Sequence, residues 1–289
     1  MILIVGCGYL GSYLLREILK STKETVAITS RKPASCDVPS VRSFYCDVTD
    51  IESIKSLYEQ CRDERLTVFY LAACHNVDYV YENPEEARRV NVQGLKNFTE
   101  VFKNIDKLFF ASTDCVYGEG KYSDIKFTES SPLNPINEYG RQKIEAENII
   151  LDAGYNVLRF PFMLGPSLSD KPHFYDRIHS ALVGDEPMEL IDGMKRSTVS
   201  YSQAAEYMLS LSRKEKLPQI VNICADDVLS KYEIGCILAE KAGYGTEKLK
   251  KITESEGQRF FKEKRAGYVA MDNTLLKSLL GIEKIQWEQ

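Results

Sequence analysis

Two side chains that can move a proton, Tyr139 and Lys143, lie four residues apart near the middle of the chain. In a helix this spacing places both side chains on one face. A tyrosine hydroxyl has an ordinary pKa of about 10, and a nearby ammonium group lowers that pKa because it favours the phenolate. Thr113, which ends a strand-like run, can donate a hydrogen bond to an oxygen that gains negative charge. Thr113, Tyr139 and Lys143 are therefore a candidate catalytic set, although the Tyr-Lys spacing alone is common on surface helices.

The chain begins with elements that such a set would need. The apolar run Ile2–Val5 leads into the loop Gly6-Cys7-Gly8-Tyr9-Leu10-Gly11, and an amphipathic segment follows. This order predicts a buried strand, a tight turn and a helix, with Gly8 letting the backbone approach a pyrophosphate. Free N–H groups at the helix start would bind the phosphates. We interpret the loop as a dinucleotide site; a glycine turn without a ligand is the alternative. Hydride transfer from a dinucleotide to a carbonyl would leave an alkoxide for the tyrosine to protonate.

Strand-like and helix-like segments alternate along most of the chain. Strands are predicted at 2–5, 25–29, 42–46, 66–72, 107–112, 156–160 and 219–223. Helices are predicted at 10–20, 50–61, 84–104, 137–153, 173–183, 201–213 and 231–242. This alternation indicates an α/β protein with a Rossmann-type, doubly wound parallel sheet. We expect the dinucleotide-binding domain at 1–161, with 196–224 returning to it, and a small C-terminal α/β substrate cap built from 162–195 and 225–289.

The composition excludes several classes of protein. A net charge of −5 argues against a nucleic-acid binder, which would carry a basic stripe. The 8 cysteines are scattered without close pairs, so we expect reduced thiols and a cytoplasmic location. The 3 histidines form no metal-ligand pattern with the cysteines, so no metal site is expected. No apolar run is long enough to span a membrane, and the N-terminal run is too short for a signal peptide.

The second predicted strand indicates which dinucleotide is bound. It runs into Ser30-Arg31-Lys32, where an enzyme that reads the 2′-hydroxyl of NAD usually has an acidic side chain. Arg31 can clamp a 2′-phosphate with two hydrogen bonds, and Lys32 can add a point charge. NADP(H) is therefore favoured over NAD(H), with an ordinary solvated turn as the alternative. Asp47, after the third strand, is expected either at the adenine edge or as a cap of the helix that starts near Asp50.

Taken together, these motifs resemble the extended short-chain dehydrogenase/reductases, most closely the dTDP-4-dehydrorhamnose reductase and sugar-nucleotide epimerase families. The glycine loop, Leu71-Ala72-Ala73, Asn91-Val92-Gln93-Gly94, Ser112-Thr113-Asp114 and Tyr139-Gly140 with Lys143 carry the resemblance. It implies Thr113, Tyr139 and Lys143 as the catalytic residues and Asn91 as a structural or relay residue. The expected cofactor-binding residues are Gly6, Gly8, Tyr9, Leu10, Gly11, Ser30, Arg31, Lys32, Asp47, Val48, Leu71, Ala72, Ala73, Asn91, Ser112, Tyr139, Lys143 and Phe162.

The same resemblance implies a nucleotide-diphosphate sugar in a cleft below the cap. The expected substrate residues are His75, Val77, Asp78, Asp114, Cys115, His173, Arg196 and Arg265, with Arg259 as a possible addition. Cys115 stands where related 4,6-dehydratases have a glutamate, which disfavours dehydration. In related epimerase-reductases a cysteine here works with a histidine, for which His173 is the candidate. The alternative is that Cys115 packs behind its strand and His173 only starts a helix.

Three functions remain open from the sequence. The favoured one is NADP(H)-dependent reduction of the keto group of a nucleotide-diphosphate 4-keto-6-deoxy sugar, with Tyr139 as proton donor. The second is a sugar-nucleotide epimerase or epimerase-reductase that uses Cys115 and His173. The third is a nucleotide-binding regulator without turnover, which the complete Tyr-Lys set disfavours. The resemblance also implies a homodimer through the helices at 84–104 and 137–153.

Overall fold

The computed structural model describes residues 1–32, 38–121, 125–168, 171–184 and 186–287. Within these ranges the strands, numbered in chain order, are β1 Ile2–Val5, β2 Val26–Ser30, β3 Val41–Tyr45, β4 Leu66–Tyr70, β5 Ile105–Thr113, β6 Asn156–Phe160, β7 Phe162–Leu164, β8 Met188–Ile191, β9 Lys195–Ser200, β10 Ile220–Asn222, β11 Val228–Ser230, β12 Leu249–Ile252 and β13 Tyr268–Val269. The helices are α1 Tyr9–Ser21, α2 Ile51–Cys61, α3 Val77–Glu82, α4 Pro84–Arg88, α5 Gly94–Val101, α6 Glu138–Asp152, α7 Phe174–Val183, α8 Tyr201–Ser212, α9 Lys231–Lys241, α10 Glu254–Gly257 and α11 Thr274–Leu280.

The main sheet has seven strands in the described residues, in the order β10-β6-β5-β4-β1-β2-β3. Every neighbouring pair in it is parallel. The pattern of β1 explains why helices cover both faces. Ile2 and Ile4 pack into a core that includes residues of α1 and α8, whereas Leu3 and Val5 pack into a second core with residues of α2 and α5. The predicted Rossmann-type α/β fold is confirmed.

Because the strands are parallel, their carboxyl ends meet at one edge of the sheet, where ligands bind in folds of this kind. The loops after β1, β2, β4, β5 and β6 all open at this edge. A smaller sheet lies beyond it, in which β9 pairs with β7, β11 and β13. A two-strand parallel ladder of β8 and β12 completes the C-terminal part. Of the segment 196–224, β10 therefore lies in the main sheet and β9 in the smaller one.

A helix is present where one was predicted near 84–104, but it is not regular along its length. Helix α4 passes into the π-helical turn Arg89–Gln93, and α5 follows and ends at Val101. The preceding helix α3 was not predicted, although Asn76 caps it by accepting hydrogen bonds from Asp78 N and Tyr79 N, both at 3.1 Å. The π-helical turn carries Asn91, so this departure from the expected helix sets the position of a candidate site residue.

Three features of the described residues bear on the excluded classes. None of their helices is long and apolar enough to cross a membrane. Their histidines, cysteines and carboxylates form no group that could hold a metal ion. Their seven cysteines form no disulfide, and Cys36 lies outside the described residues.

Candidate active site

The glycine loop between β1 and α1 is shaped by contacts that exclude side chains. Gly6 has φ +91°, and a Cβ there would lie 2.6 Å from Ala72 N. Gly11 packs against the same turn, since its Cβ would lie 3.0 Å from Gly6 O. A Cβ at Gly8, in contrast, would meet no described atom within 4 Å. Open space therefore lies at the start of α1, whose described residues supply neither an acidic side chain in the first turn nor a side-chain cap. The loop thus fits a bound pyrophosphate.

The carboxyl ends of β2 and β3 form the side of the site expected to hold the adenosine. Arg31 lies on the wall of an open cavity of about 580 Å³, which Asp47, Arg89, Glu85 and Glu86 also line. Asp47 does not cap α2: its carboxylate accepts hydrogen bonds from Thr49 N at 2.9 Å and Thr49 Oγ1 at 2.7 Å. Asp50 caps α2 instead, accepting from Glu52 N. Arg89, which the sequence did not single out, adds a second guanidinium to this cavity.

Asn91 braces the loop after β4 against α6. Its Oδ1 accepts a hydrogen bond from Cys74 N at 2.8 Å, and its Nδ2 donates to Cys74 O and to Gln142 Oε1. The side chain is 2% exposed. The backbone of Leu71, Ala72 and Ala73 leads directly into this braced position. Asn91 therefore orients the chain around the expected nicotinamide position through direct contacts.

Tyr139 lies in the first turn of α6, close to the turn that follows β5. Gly140 allows this approach, because a Cβ there would lie 2.6 Å from Cys115 O. The tyrosine is 8% exposed. Burial raises its pKa well above the ordinary value, and Cys115 and Asp114 raise it further. Lys143 was expected to lower the pKa of Tyr139, but in the structure this pKa is raised. Tyr139 consequently holds its proton at neutral pH, as a proton donor must.

Lys143 lies beneath this corner and is almost fully buried at 1% exposure. Its Nζ donates a hydrogen bond to Ala111 O at 2.5 Å and lies 3.9 Å from the centre of the Phe110 ring. Burial lowers the pKa of Lys143 to about 7, and the Glu147 carboxylate opposes this shift. An ammonium has three N–H donors, so two remain for ribose hydroxyls. The pKa of Tyr139 is therefore governed by burial and by the neighbouring acidic groups, and not by Lys143.

Thr113 and Asp114 are linked to Arg196 from the smaller sheet. Thr113 Oγ1 donates to Asp114 Oδ1 at 3.2 Å and accepts from Cys115 N at 3.2 Å. Arg196 Nη1 lies 2.8 Å from Asp114 Oδ2 and 3.9 Å from Cys115 Sγ. Burial and the Asp114 charge raise the pKa of the Cys115 thiol, while Arg196 lowers it to a smaller extent. Cys115 is thus held as a thiol beside Tyr139.

His173 lies on the glycine-loop side of the cleft. Its Nε2 is 3.1 Å from Tyr201 Oη, and its ring centre is 4.8 Å from that of Tyr9. Its Nδ1 is buried, with no hydrogen-bond partner among the described residues. Burial lowers the pKa of His173, and His75 lowers it further. His173 contacts Tyr9 and Tyr201, whereas Cys115 contacts Arg196 and Tyr139, so the two candidate residues are not in contact within the described residues.

His75 lies within electrostatic range of both His173 and Lys143. Its side chain is exposed, yet desolvation lowers its pKa and Lys143 lowers it further. The His75 ring is therefore more readily neutral than a free histidine ring.

The other substrate candidates lie where the cap meets α3. Asp78 accepts hydrogen bonds from the backbone N–H groups of Lys262 and Glu263 and forms an ion pair with Arg265 at 2.9 Å. Val77 packs beside Tyr139. Arg259 pairs with Glu189 at an exposed position. Asp78 thus holds the segment with Lys262, Glu263 and Arg265 against α3.

Two further predicted residues have roles that the sequence did not indicate. The Ser112 hydroxyl donates a hydrogen bond to the buried carboxylate of Glu147, on the α6 side of β5. Glu147 also pairs with Arg159 at 2.6 Å. Phe162 packs edge-to-face against Phe174 and lies 5.9 Å from Lys231 Nζ. Sequence reasoning missed Lys231 and Glu147. The Glu147 spacing, four residues after Lys143 on the same helix face, was a signal that could have found it.

The remaining predicted cofactor residues lie in or beside the loops that follow β1, β2 and β3. Ser30 Oγ accepts a hydrogen bond from Lys32 N at 3.0 Å, which shapes the turn before the exposed Lys32. Leu10 is buried in the core beneath the glycine loop. Val48 is buried against Gly94, whose Cβ would lie 2.8 Å from Val48 O. Local packing therefore holds Leu10 and Val48 in place, and a hydrogen bond shapes the turn at Ser30.

Known protein families and curated proteins are similar to this chain in sequence. The chain matches a family model described as RmlD substrate binding domain over residues 1–289. It is 26% identical to a putative UDP-glucose 4-epimerase of Methanocaldococcus jannaschii over 283 residues, which cover 90% of this chain and 89% of that protein. Several other curated relatives match over only about half of their own length.

Solved structures share the fold. A Thermus thermophilus UDP-glucose 4-epimerase in complex with NAD has a TM-score of 0.81 at 20% identity, covering 98% of this chain and 94% of that one. A Bacillus anthracis dTDP-4-dehydrorhamnose reductase in complex with NADP has a TM-score of 0.80 at 16% identity, covering 99% and 94%. These likenesses, at 20% and 16% identity, show the fold.

Proposed function

The chain belongs to the family described as RmlD substrate binding domain, and from this premise we propose that it is an NAD(P)-dependent sugar-nucleotide oxidoreductase. Specifically, we propose that it uses NADP(H) to reduce the keto group of a nucleotide-diphosphate 4-keto-6-deoxy sugar. The observation that carries the proposal is the catalytic corner. Helix α6 places Tyr139 beside Cys115, just after Thr113, and brings Lys143 Nζ to Ala111 O, just before Thr113.

The residues of the cleft have separate roles in this proposal. Gly6, Gly8 and the start of α1 fit the pyrophosphate, and Lys143 has donors left for the ribose hydroxyls. NADPH supplies the hydride when bound. Tyr139 then donates its proton to the oxygen of the reduced carbonyl. Thr113 stabilises that oxygen by turning its hydroxyl away from Asp114, an exchange made easier by their long 3.2 Å contact.

The choice of reduction over epimerisation is supported by Cys115 and His173. An epimerase of the kind considered needs a thiolate and an imidazole on opposite faces of the sugar. Burial raises the pKa of Cys115, and Asp114 raises it further. His173 is engaged by Tyr201 and Tyr9. The protonated Cys115 thiol and the contacts of His173 therefore favour a mechanism in which Tyr139 is the proton donor and neither Cys115 nor His173 acts on the sugar.

The preference for NADP(H) is supported by Arg31. In the described part of the chain, the guanidinium of Arg31 has no ion pair, and it faces the cavity at the adenosine end. Arg89 lines the same cavity, as do Glu85 and Glu86, whose negative charges oppose those of the two guanidinium groups. A 2′-phosphate would pair with Arg31, as the sequence at the end of β2 predicts.

A turnover assay tests the proposed function. The protein is incubated with NADPH and a nucleotide-diphosphate 4-keto-6-deoxyhexose, and cofactor oxidation is compared with product formation. A reductase oxidises one NADPH per product, an epimerase shows no net oxidation, and a regulator binds without turnover. Tyr139→Phe, which keeps the ring and removes the proton, should lower the rate by at least about 100-fold. The Kd for NADPH should be nearly unchanged, and a near-normal rate would contradict the mechanism.

A further inference from the structure

Lys231 is a cation without a counter-ion in the substrate cleft. It is the first residue of α9 and follows the Ser230 cap. Its Nζ lies 5.2 Å from the ring centre of Phe174, 5.4 Å from that of Phe261 and 5.9 Å from that of Phe162. In the described part of the chain, this Nζ has neither a hydrogen bond nor an ion pair. Three aromatic faces therefore hold the ammonium in place and leave its N–H donors unused.

Other cations share these rings. Arg265 Cζ lies 5.0 Å from the Phe261 ring centre, and Arg177 Cζ lies 5.9 Å from that of Phe174. Burial lowers the pKa of Lys231 to about 8, and Arg196, Arg177 and Arg265 lower it further. Asp78 is the carboxylate that opposes this shift. The free protein thus keeps several positive charges close together around Lys231.

The ion pairs in the cleft neutralise only part of this charge. Arg196 pairs with Asp114 at 2.8 Å, and Arg265 pairs with Asp78 at 2.9 Å. Arg177, which is exposed, and Lys231, which is half-buried, have no carboxylate partner within the described residues. Because an ammonium that is partly removed from water is costly without an anion, a negatively charged ligand would stabilise the charged form of Lys231.

The position of Lys231 indicates which part of a ligand would supply that charge. Ser230, which precedes Lys231, pairs with Lys195 across β11 and β9, and the charge of the neighbouring Arg196 lowers the pKa of Lys231. Arg196 in turn reaches Asp114 and Cys115 at the catalytic corner. Lys231 therefore lies on the predicted cap beside the arginine that contacts the catalytic corner, a position that suits the groups attached to the reacting sugar.

We propose that Lys231 is a specificity-determining residue that binds an oxyanion of the nucleotide sugar, held in place by Phe162, Phe174 and Phe261. The inference rests on the proposed function, because it concerns the same cleft. In the 4-keto-6-deoxy sugar nucleotide proposed above, the oxyanion is a phosphate oxygen of the diphosphate; a sugar acid in the same cleft would offer its carboxylate as a second source. Both sources share the chemistry of a charged oxygen that accepts hydrogen bonds from the ammonium.

The test compares Lys231→Met with Lys251→Met. Methionine keeps the length of the side chain and its contact with the rings. Lys251 is a matched control in the same region: its Nζ lies 5.3 Å from the Tyr232 ring centre, but it pairs with Asp192 at 2.6 Å. Binding of UDP, dTDP, UDP-glucose and UDP-glucuronic acid to the full chain is measured by calorimetry at several salt concentrations.

For Lys231→Met we expect about tenfold weaker binding or more, since a hydrogen bond to a charged group is lost. The salt dependence of binding should fall as well, and the Tm should not decrease. Lys251→Met should bind like the wild type. An equal loss for UDP-glucose and UDP-glucuronic acid assigns the oxyanion to the diphosphate, and a larger loss for UDP-glucuronic acid assigns it to the sugar carboxylate.

Unchanged binding by Lys231→Met would overturn the inference. So would weaker binding with the salt dependence of the wild type, because the loss would then come from packing and not from charge. If the wild type binds these nucleotides but oxidises no NADPH with any keto sugar, the proposed function fails and the binding comparison still decides the role of Lys231. If the wild type binds none of the four nucleotides, both proposals fail.

Discussion

Replacing Glu147 by glutamine should change both stability and the pH dependence of activity. Glu147 and Arg159 form an ion pair at 2.6 Å with side chains only 1% and 2% exposed. Arg159 Nε donates a second hydrogen bond to the same carboxylate at 3.0 Å, and the Ser112 hydroxyl donates a third. Glu147→Gln would leave the Arg159 guanidinium buried without a counter-charge. The expected loss of unfolding free energy is about 3–5 kcal/mol, as for other broken buried pairs.

Glu147 also acts on the pKa of Lys143. Burial lowers this pKa and the Glu147 carboxylate raises it, and the net value is about 7. A lysine with a lowered pKa is charged below that value and loses its charge as the pH rises through it. If turnover requires the Lys143 ammonium, the rate should fall above about pH 7 in the wild type. In Glu147→Gln the same fall should occur at a lower pH, because the supporting carboxylate charge is absent.

Urea unfolding and pH–rate profiles measure the two effects. Glu145→Gln is the control on the same helix, since Glu145 pairs with Arg88 at a site where both side chains are more than two-fifths exposed. An exposed pair contributes about 0–1 kcal/mol, so this variant should keep the wild-type profile. A Glu147→Gln protein with unchanged stability, or with an unshifted pH profile, would refute the roles assigned to the buried carboxylate.

Two further predictions concern the cofactor. Arg31→Ala should raise the Kd for NADPH by about tenfold or more and leave the Kd for NADH nearly unchanged. Fluorescence titration measures both constants. Equal effects on the two cofactors would show that Arg31 does not bind the 2′-phosphate. Gly6→Ala should impair folding or cofactor binding, because the new Cβ would lie 2.6 Å from Ala72 N at φ +91°. Gly8→Ala is its control, since no described atom lies within 4 Å of that Cβ, and any loss there should appear in cofactor binding with an unchanged Tm.

The structure explains why parts of the expected site could not be read from local pattern. The helix at 84–104 looked continuous because its apolar residues recur at helical spacing. The π-helical turn at Arg89–Gln93 arises where the Asn91 side chain bonds to Cys74 and Gln142, residues far away along the chain. The partners of Arg196 and His173 were likewise hidden, because Asp114 and Tyr201 approach them only in the folded chain.

The amino-acid sequence by itself determined the strands of the main sheet, the glycine turn and the Tyr139–Lys143 helix face. These features depend on short-range effects: runs of apolar side chains, the backbone freedom of glycine and the period of a helix. Only the tertiary structure decided the charge states within the cleft. Burial raises the pKa of Tyr139 and lowers that of Lys143, and the cap leaves Lys231 without a counter-ion among the described residues. Desolvation and ion pairing depend on which distant segments of the chain come into contact, and a local sequence pattern does not determine those contacts.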